Sequence, residues 1–168
     1  KCCEKLVRLG NERDIAEDLL RYNPKYHLFA TQQVGKDSLN KAAKKARDEA
    51  EIVVGTMISM LDSDGDAAVV DEAGQCPEVH TLCAINPKLK WLTLVGDHRQ
   101  LPPLVSEEPG REQGMSVSAL ERLVELEFPM TTLDIQYRMF PSISRFARKL
   151  IYQPANELIR DGVKEGQA

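Results

Sequence analysis

AAVVDEAGQ, residues 67–75, runs four small or apolar residues straight into two adjacent carboxylates, Asp71 and Glu72. Such a run suits a parallel strand covered on both faces. Acids at its carboxyl end would project into the crevice where open α/β sheets bind ligands. There Asp71 could hold a hydrated magnesium ion, a hard cation that takes oxygen ligands and phosphate company, while Glu72 could orient or deprotonate a water. This is the Walker B arrangement of a nucleotide-hydrolysing site. The same residues also describe a plain apolar strand ending in a solvated Asp-Glu turn, so the neighbouring stretches must decide.

Downstream, Pro77 fits the first position of a helix whose Val79, Leu82 and Cys83 face one way, ending before Pro87. Residues 91–105, WLTLVGDHRQLPPLV, open with another apolar strand and break at Gly96-Asp97, after which Gln100 and Pro102-Pro103 fix a loop. Strand, helix and strand at this spacing predict a right-handed βαβ crossover and a parallel sheet, hence an α/β fold. Asp71, Glu72, Asp97 and Gln100 should then share one edge.

Upstream, EKLVRL (residues 4–9) reads as a short strand closed by Gly10, followed by helical spacing of Ile15, Leu19 and Leu20. Residues 38–50 predict a charged helix with Lys44/Asp48 and Lys45/Glu49 pairs, its lysines a solvated face. EIVVGT, residues 51–56, is a further buried-strand run whose Thr56 could offer its hydroxyl to a backbone phosphate. Two motifs here are decoys. Gly35-Lys36 fails as a phosphate loop because Ala30 replaces the first glycine and Asp37 the magnesium-binding hydroxyl. Asp62, Asp64 and Asp66 imitate half a calcium loop, but Ala67 and Ala73 replace its glycine and glutamate.

Ser118 and Glu121 form a capping box for a helix carrying Leu120, Leu123 and Val124. TTLDIQ, residues 131–136, reads as a strand, and Pro141 starts a helix with Ile143, Phe146, Leu150 and Ile151 on its apolar face. Arg145, Arg148 and Lys149 are expected opposite, in solvent.

The 168 residues, 42% hydrophobic and 29% charged, suit a globular chain with a core. A formal charge of −4 argues against a dedicated basic nucleic-acid module, though a local groove can still be basic. Cys2, Cys3, Cys76 and Cys83 make no CxxC pair, so reduced structural thiols are expected rather than zinc. No apolar stretch approaches the roughly 20 residues of a membrane span and no signal-peptide pattern opens the chain, which reads as soluble and intracellular.

DEAGQ (residues 71–75), GDHRQLPP (residues 96–103) and LDIQYRMFPSISRF (residues 133–146) occur in this order. Together they resemble motif II, motif III and the QYRM element of superfamily 1 helicases of the nonsense-mediated decay group. RLG near the start and SALERL, residues 118–123, fit weaker features of the same family. The resemblance implies a RecA-like parallel sheet flanked by helices, of P-loop NTPase type, and the start of a second RecA-like domain. Residues 1–128 would belong to the first domain and 129–168 to the second.

The resemblance also implies roles. Asp71 would bind Mg2+ and Glu72 activate water, while Gln100 would hydrogen-bond near the terminal phosphate of ATP. Arg138 would reach the phosphates from the second domain, and Tyr137 would stack on adenine. Thr56 falls where the family contacts the nucleic-acid backbone, although MISM follows it here where small residues are usual. Implied partners are ATP and single-stranded RNA or DNA, with the protein a monomer, cytoplasmic or nuclear and free of membrane. Lys1 in first place and the lack of a phosphate loop before the Walker B strand read as a fragment holding half an ATP site. The alternative is a non-catalytic helicase remnant that binds RNA or a protein.

Overall fold

The computed structural model describes residues 6–9, 17–23, 36–61, 63–106, 108, 110 and 113–163. Cys2, Cys3, Ala30, Gly35 and Asp62 lie outside them. Strand β1 (Leu6–Arg8) leads through a 3-10 turn (Glu17–Tyr22) to helix α1 (Lys36–Glu49) and strand β2 (Ile52–Val54). Strand β3 (Ala67–Val70), the short helix α2 (Glu78–Thr81) and strand β4 (Trp91–Leu94) follow. Helix α3 (Ala119–Glu125), strand β5 (Ile135–Gln136), helix α4 (Pro141–Ala147) and strand β6 (Arg160–Asp161) come after them.

Among the described residues the strands form three parallel pairs, β1 with β2, β3 with β4 and β5 with β6, each joined through a helix. Parallel pairing demands such a crossover, because both strands must start from the same end. The fold is α/β, as its strand and helix spacing predicts.

In the β3–β4 register Ala67 faces Trp91 and Val70 faces Leu94. Cover on both faces is not what these residues have. Val70 is 4% exposed, whereas Val69 and Trp91 are each 72% exposed. Residues 68 and 70 alternate inward and 67 and 69 outward, so one face is covered and the other open. Ile52 and Val54 on β2 are likewise exposed, and Val7 on β1 is buried. The physical reason lies in the layers: among the described residues the face carrying Ala67 and Val69 is left largely open.

Ser118 caps α3 by accepting the Glu121 amide at 3.0 Å, and a bridge to Pro77 ties it to the start of α2. It is fully buried. Ser118→Ala should therefore cost about 1 kcal/mol, read as a lower urea midpoint with an unchanged slope. Helix α2 is shorter than expected, passing into a 3-10 turn (Leu82–Ala84). Asn86 donates to the Gly65 carbonyl at 2.9 Å and accepts the Lys88 amide at 2.8 Å, local bonds that compete with helix just before Pro87.

The aspartates of the calcium decoy have other partners: Asp64 pairs with Lys88 at 2.6 Å and Asp66 with Lys90 at 3.4 Å. Cys76 and Cys83 are free thiols. Among the described residues no helix is long and apolar enough to cross a membrane.

Helix α4 begins at Pro141 as expected but opens after Ala147 into a π-helical turn (Arg148–Tyr152). The wider winding breaks the 3.6-residue phase. Arg148, expected in solvent, instead pairs with Asp161 at 2.8 Å. Strand β5 is shorter than the run 131–136, because β6 offers pairing only at its end.

Candidate active site

At the end of β3 the Val95 amide donates to the Val70 carbonyl at 2.8 Å, and the Ala73 amide donates to Val95 at 2.9 Å. These bonds bend the chain over the end of β4 and leave Asp71 and Glu72 exposed on the edge. Glu72 has φ 52, a left-handed conformation rare for a residue with a side chain. It costs on the order of 1–3 kcal/mol, and such strain concentrates at working sites. Asp71 Oδ1 accepts the Glu72 amide at 3.0 Å, and Glu72 Oε2 accepts from Gln75 Nε2 at 3.4 Å.

Two glycines let the next loop press against this turn. A Cβ on Gly74 would lie 2.6 Å from the Asp97 carbonyl oxygen, and one on Gly96 would lie 2.9 Å from the Ala73 and Gly74 amides. The backbones at residues 73–74 and 96–98 are thus in direct contact, which brings the loops carrying Asp71, Glu72, Asp97 and Gln100 to the predicted edge. Gln100 Nε2 donates to Asp97 Oδ2 at 2.8 Å, and the Arg99 amide donates to Oδ1 at 2.9 Å.

Tyr152 adds a third donor, its hydroxyl 2.5 Å from Asp97 Oδ2. Burial acts to raise the Asp97 carboxyl, but the bonds from Tyr152, Gln100 and the Arg99 amide outweigh it and hold it below the ordinary value. Burial, and then the bond to Asp97, push the Tyr152 phenol up to about 12. At neutral pH the acceptor is therefore ionised and the donor protonated.

Tyr137 and Arg138 follow β5 on a turn built by Gln136. Its Oε1 accepts the amides of Arg138 at 3.0 Å and Met139 at 2.7 Å, while its Nε2 donates to the Met139 carbonyl and to Asp161 Oδ1. Asp161 also accepts from Ser144 at 2.5 Å, and the Ser144 and Gln136 bonds hold its carboxyl below the ordinary value. Tyr137 is 70% exposed and lies against Gly162, where an added Cβ would overlap its ring.

Thr56 stands at the end of β2, its hydroxyl bonded to Ser59 at 3.3 Å. With Asp71 it lines a cavity of about 750 Å³ between the β1–β2 and β3–β4 pairs. Among the described residues no hydrogen bond or ion pair joins Tyr137 or Arg138 to Asp71, Glu72 or Gln100, and no group of three or more metal-binding side chains occurs. Sequence reasoning passed over Tyr152, Glu157, Asp161 and Gly162. Only the Asp-Gly pair carried a local signal, that of a turn.

Two models of the AAA domain family match the chain, one over residues 28–108 and the other over residues 115–165. The chain is 34% identical over 117 residues to the probable helicase MAGATAMA 3 of Arabidopsis thaliana, covering 66% of this chain and 14% of that protein. It is 32% identical over 119 residues to the ATP-dependent helicase NAM7 of Saccharomyces cerevisiae, covering 68% and 12%. A 40% identical stretch of 90 residues aligns with the DNA replication ATP-dependent helicase/nuclease DNA2 of Gallus gallus, covering 52% and 9%. The chain thus spans between 9% and 14% of the length of these three relatives.

Proposed function

The chain belongs to the superfamily 1 helicases, the family typified by the nonsense-mediated decay helicases and built on the P-loop NTPase fold, and from that premise we propose that the whole protein is an ATP-dependent nucleic-acid helicase. One observation carries the reading: the turn bearing Asp71 and Glu72 and the loop bearing Gln100 meet backbone to backbone at the carboxyl end of paired parallel strands. A reaction at one can be felt at the other. In this reading residues 1–128 belong to the first RecA-like domain and 129–168 open the second.

Glu72 takes the proton of the attacking water, its carboxylate exposed and oriented by Gln75. Gln100, able to donate and accept, senses the terminal phosphate. Arg138 meets the phosphates as a delocalised bidentate cation, and Tyr137 stacks on adenine. Asp71 fits Mg2+, because the Glu72 amide occupies only its Oδ1 and one carboxylate with waters and phosphates is a usual magnesium set. The ion, when bound, neutralises phosphate charge. Thr56 contacts the backbone of single-stranded RNA or DNA. Hydrolysis then opens and closes the interdomain cleft and moves the strand, in a cytoplasmic or nuclear protein that acts as a monomer.

The test is ATP turnover by the complete protein with single-stranded RNA and DNA compared as stimulants. Stimulation by either supports the reading. Absence of turnover overturns it in favour of a non-catalytic binding module.

Gly162→Ala bears on the adenine site. The exposed Tyr137 ring can swing away from the added methyl, so the fold should survive while stacking weakens. KM for ATP should rise about two- to tenfold, the range of an aromatic stacking contact, with kcat nearly unchanged. An unchanged KM would remove Tyr137 from the site.

A further inference from the structure

We propose that Tyr152 and Glu157, outside every recognised motif, are positioning residues that clasp the 96–103 loop and fix the orientation of Gln100. The inference rests on the helicase reading for what Gln100 does, but its geometry stands apart from that reading.

Tyr152 and Glu157 project from one closed turn. The Glu157 amide donates to the Tyr152 carbonyl at 2.9 Å, the Asn156 amide donates to Gln153 at 3.0 Å, and Asn156 turns the chain with φ 58. From this turn the Tyr152 hydroxyl reaches Asp97, 55 residues away in sequence. Glu157 Oε1 lies 3.2 Å from Arg99 Nε and 3.6 Å from His98 Nε2. The His98 side chain is 11% exposed and the Glu157 side chain 25%, so this contact is largely out of water. Two side chains from one turn therefore hold Asp97 and Arg99, with His98 Nε2 beside Glu157 but not hydrogen-bonded to it.

Asp97 passes the constraint on. Its Oδ2 accepts from both Tyr152 and Gln100, and its Oδ1 is held by the Arg99 amide. With both oxygens engaged the carboxylate cannot rotate freely, and Gln100 takes its direction from an acceptor fixed from the other side. One Gln100 Nε2 hydrogen is spent on Asp97 and the amide also faces the Tyr152 hydroxyl, which leaves Oε1 for a ligand. Neither Tyr152 nor Glu157 needs to touch the nucleotide. Because both follow the QYR element, movement of that part of the chain relative to the β3–β4 edge reaches Gln100 through Asp97.

The test uses the complete protein with ATP and whichever single strand stimulates it. Tyr152→Phe keeps the ring and removes only the hydroxyl; it should lower kcat about tenfold, the scale of one hydrogen bond to a charged group, with KM for ATP changed less than twofold. Glu157→Gln should act in the same direction. In a Gln100→Ala background Tyr152→Phe should have no further effect, because its influence passes through that amide. Full activity in Tyr152→Phe with loss only in Tyr152→Ala, or losses that multiply in the Gln100→Ala background, would overturn the proposal.

A second measurement reads the clasp without nucleotide. Unfolding of Tyr152→Phe, Asp97→Asn and the double variant should give strongly non-additive midpoints, and additive midpoints would mean the clasp is not made. A protein that turns over no ATP would overturn the helicase reading and the catalytic purpose of the clasp together, while coupled midpoints would still establish the contact.

Discussion

Glu72→Gln in the complete protein is expected to lower ATP turnover by about 10²–10⁴-fold, the usual contribution of a positioned general base, while ATP still binds. The substitution is nearly isosteric. A glutamine at this position retains an oxygen for the Gln75 amide, which Glu72 accepts at 3.4 Å, so the turn and its left-handed residue can persist. What disappears is the basic lone pair that takes a proton from water. Steady-state turnover and equilibrium binding of a fluorescent ATP analogue separate these effects. Turnover above a tenth of wild type would assign Glu72 to the turn's architecture alone, and loss of binding would point to a collapsed site.

Arg138→Ala should be as severe, at about 10³-fold or more in kcat, the scale of an arginine that stabilises phosphoryl-transfer charge. Among the described residues the Arg138 side chain makes no hydrogen bond or ion pair, whereas Arg148 ten positions on is engaged with Asp161 at 2.8 Å. The Arg138 backbone, by contrast, is fixed through its amide to Gln136 at 3.0 Å. A held backbone with a free guanidinium suits a group that waits for a ligand. Arg138→Lys should recover little, since a point charge cannot reproduce a planar fork. Single-turnover kinetics at saturating ATP measure the effect, and a kcat within threefold of wild type would exclude Arg138 from the reacting phosphates.

The β3–β4 pair was legible because the residues that make it are neighbours in sequence: an apolar run, a proline-started helix and a second run broken by Gly96-Asp97. The carboxylates at its edge followed from the same pattern. Burial was less legible, for an apolar strand such as 67–70 records what its side chains favour and not what packs over each face; Val69 lies on the open one. Arg148 was misjudged because its partner, Asp161 on β6, comes thirteen positions later, which a helical period does not show. Tyr152 was invisible for another reason. An aromatic residue near helical spacing reads as core, and its partner Asp97 is 55 positions earlier. The QYR turn was recognised as a motif, but only geometry gives Gln136 its part, satisfying the amides that would otherwise leave Tyr137 and Arg138 on a loose loop.

Gly74 and Gly96 give the edge a mechanical property. Where two loops meet through side chains, a shift of one can be absorbed by a rotamer change in the other, on the ps–ns scale for exposed groups. Here the Asp97 carbonyl would lie 2.6 Å from a Cβ at Gly74, and the Ala73 and Gly74 amides 2.9 Å from one at Gly96, so main chain bears on main chain. Such a joint works like a gear without backlash. Displacement of the 96–100 loop must carry the Asp71–Glu72 turn with it in the same stroke, with no slack to be taken up first.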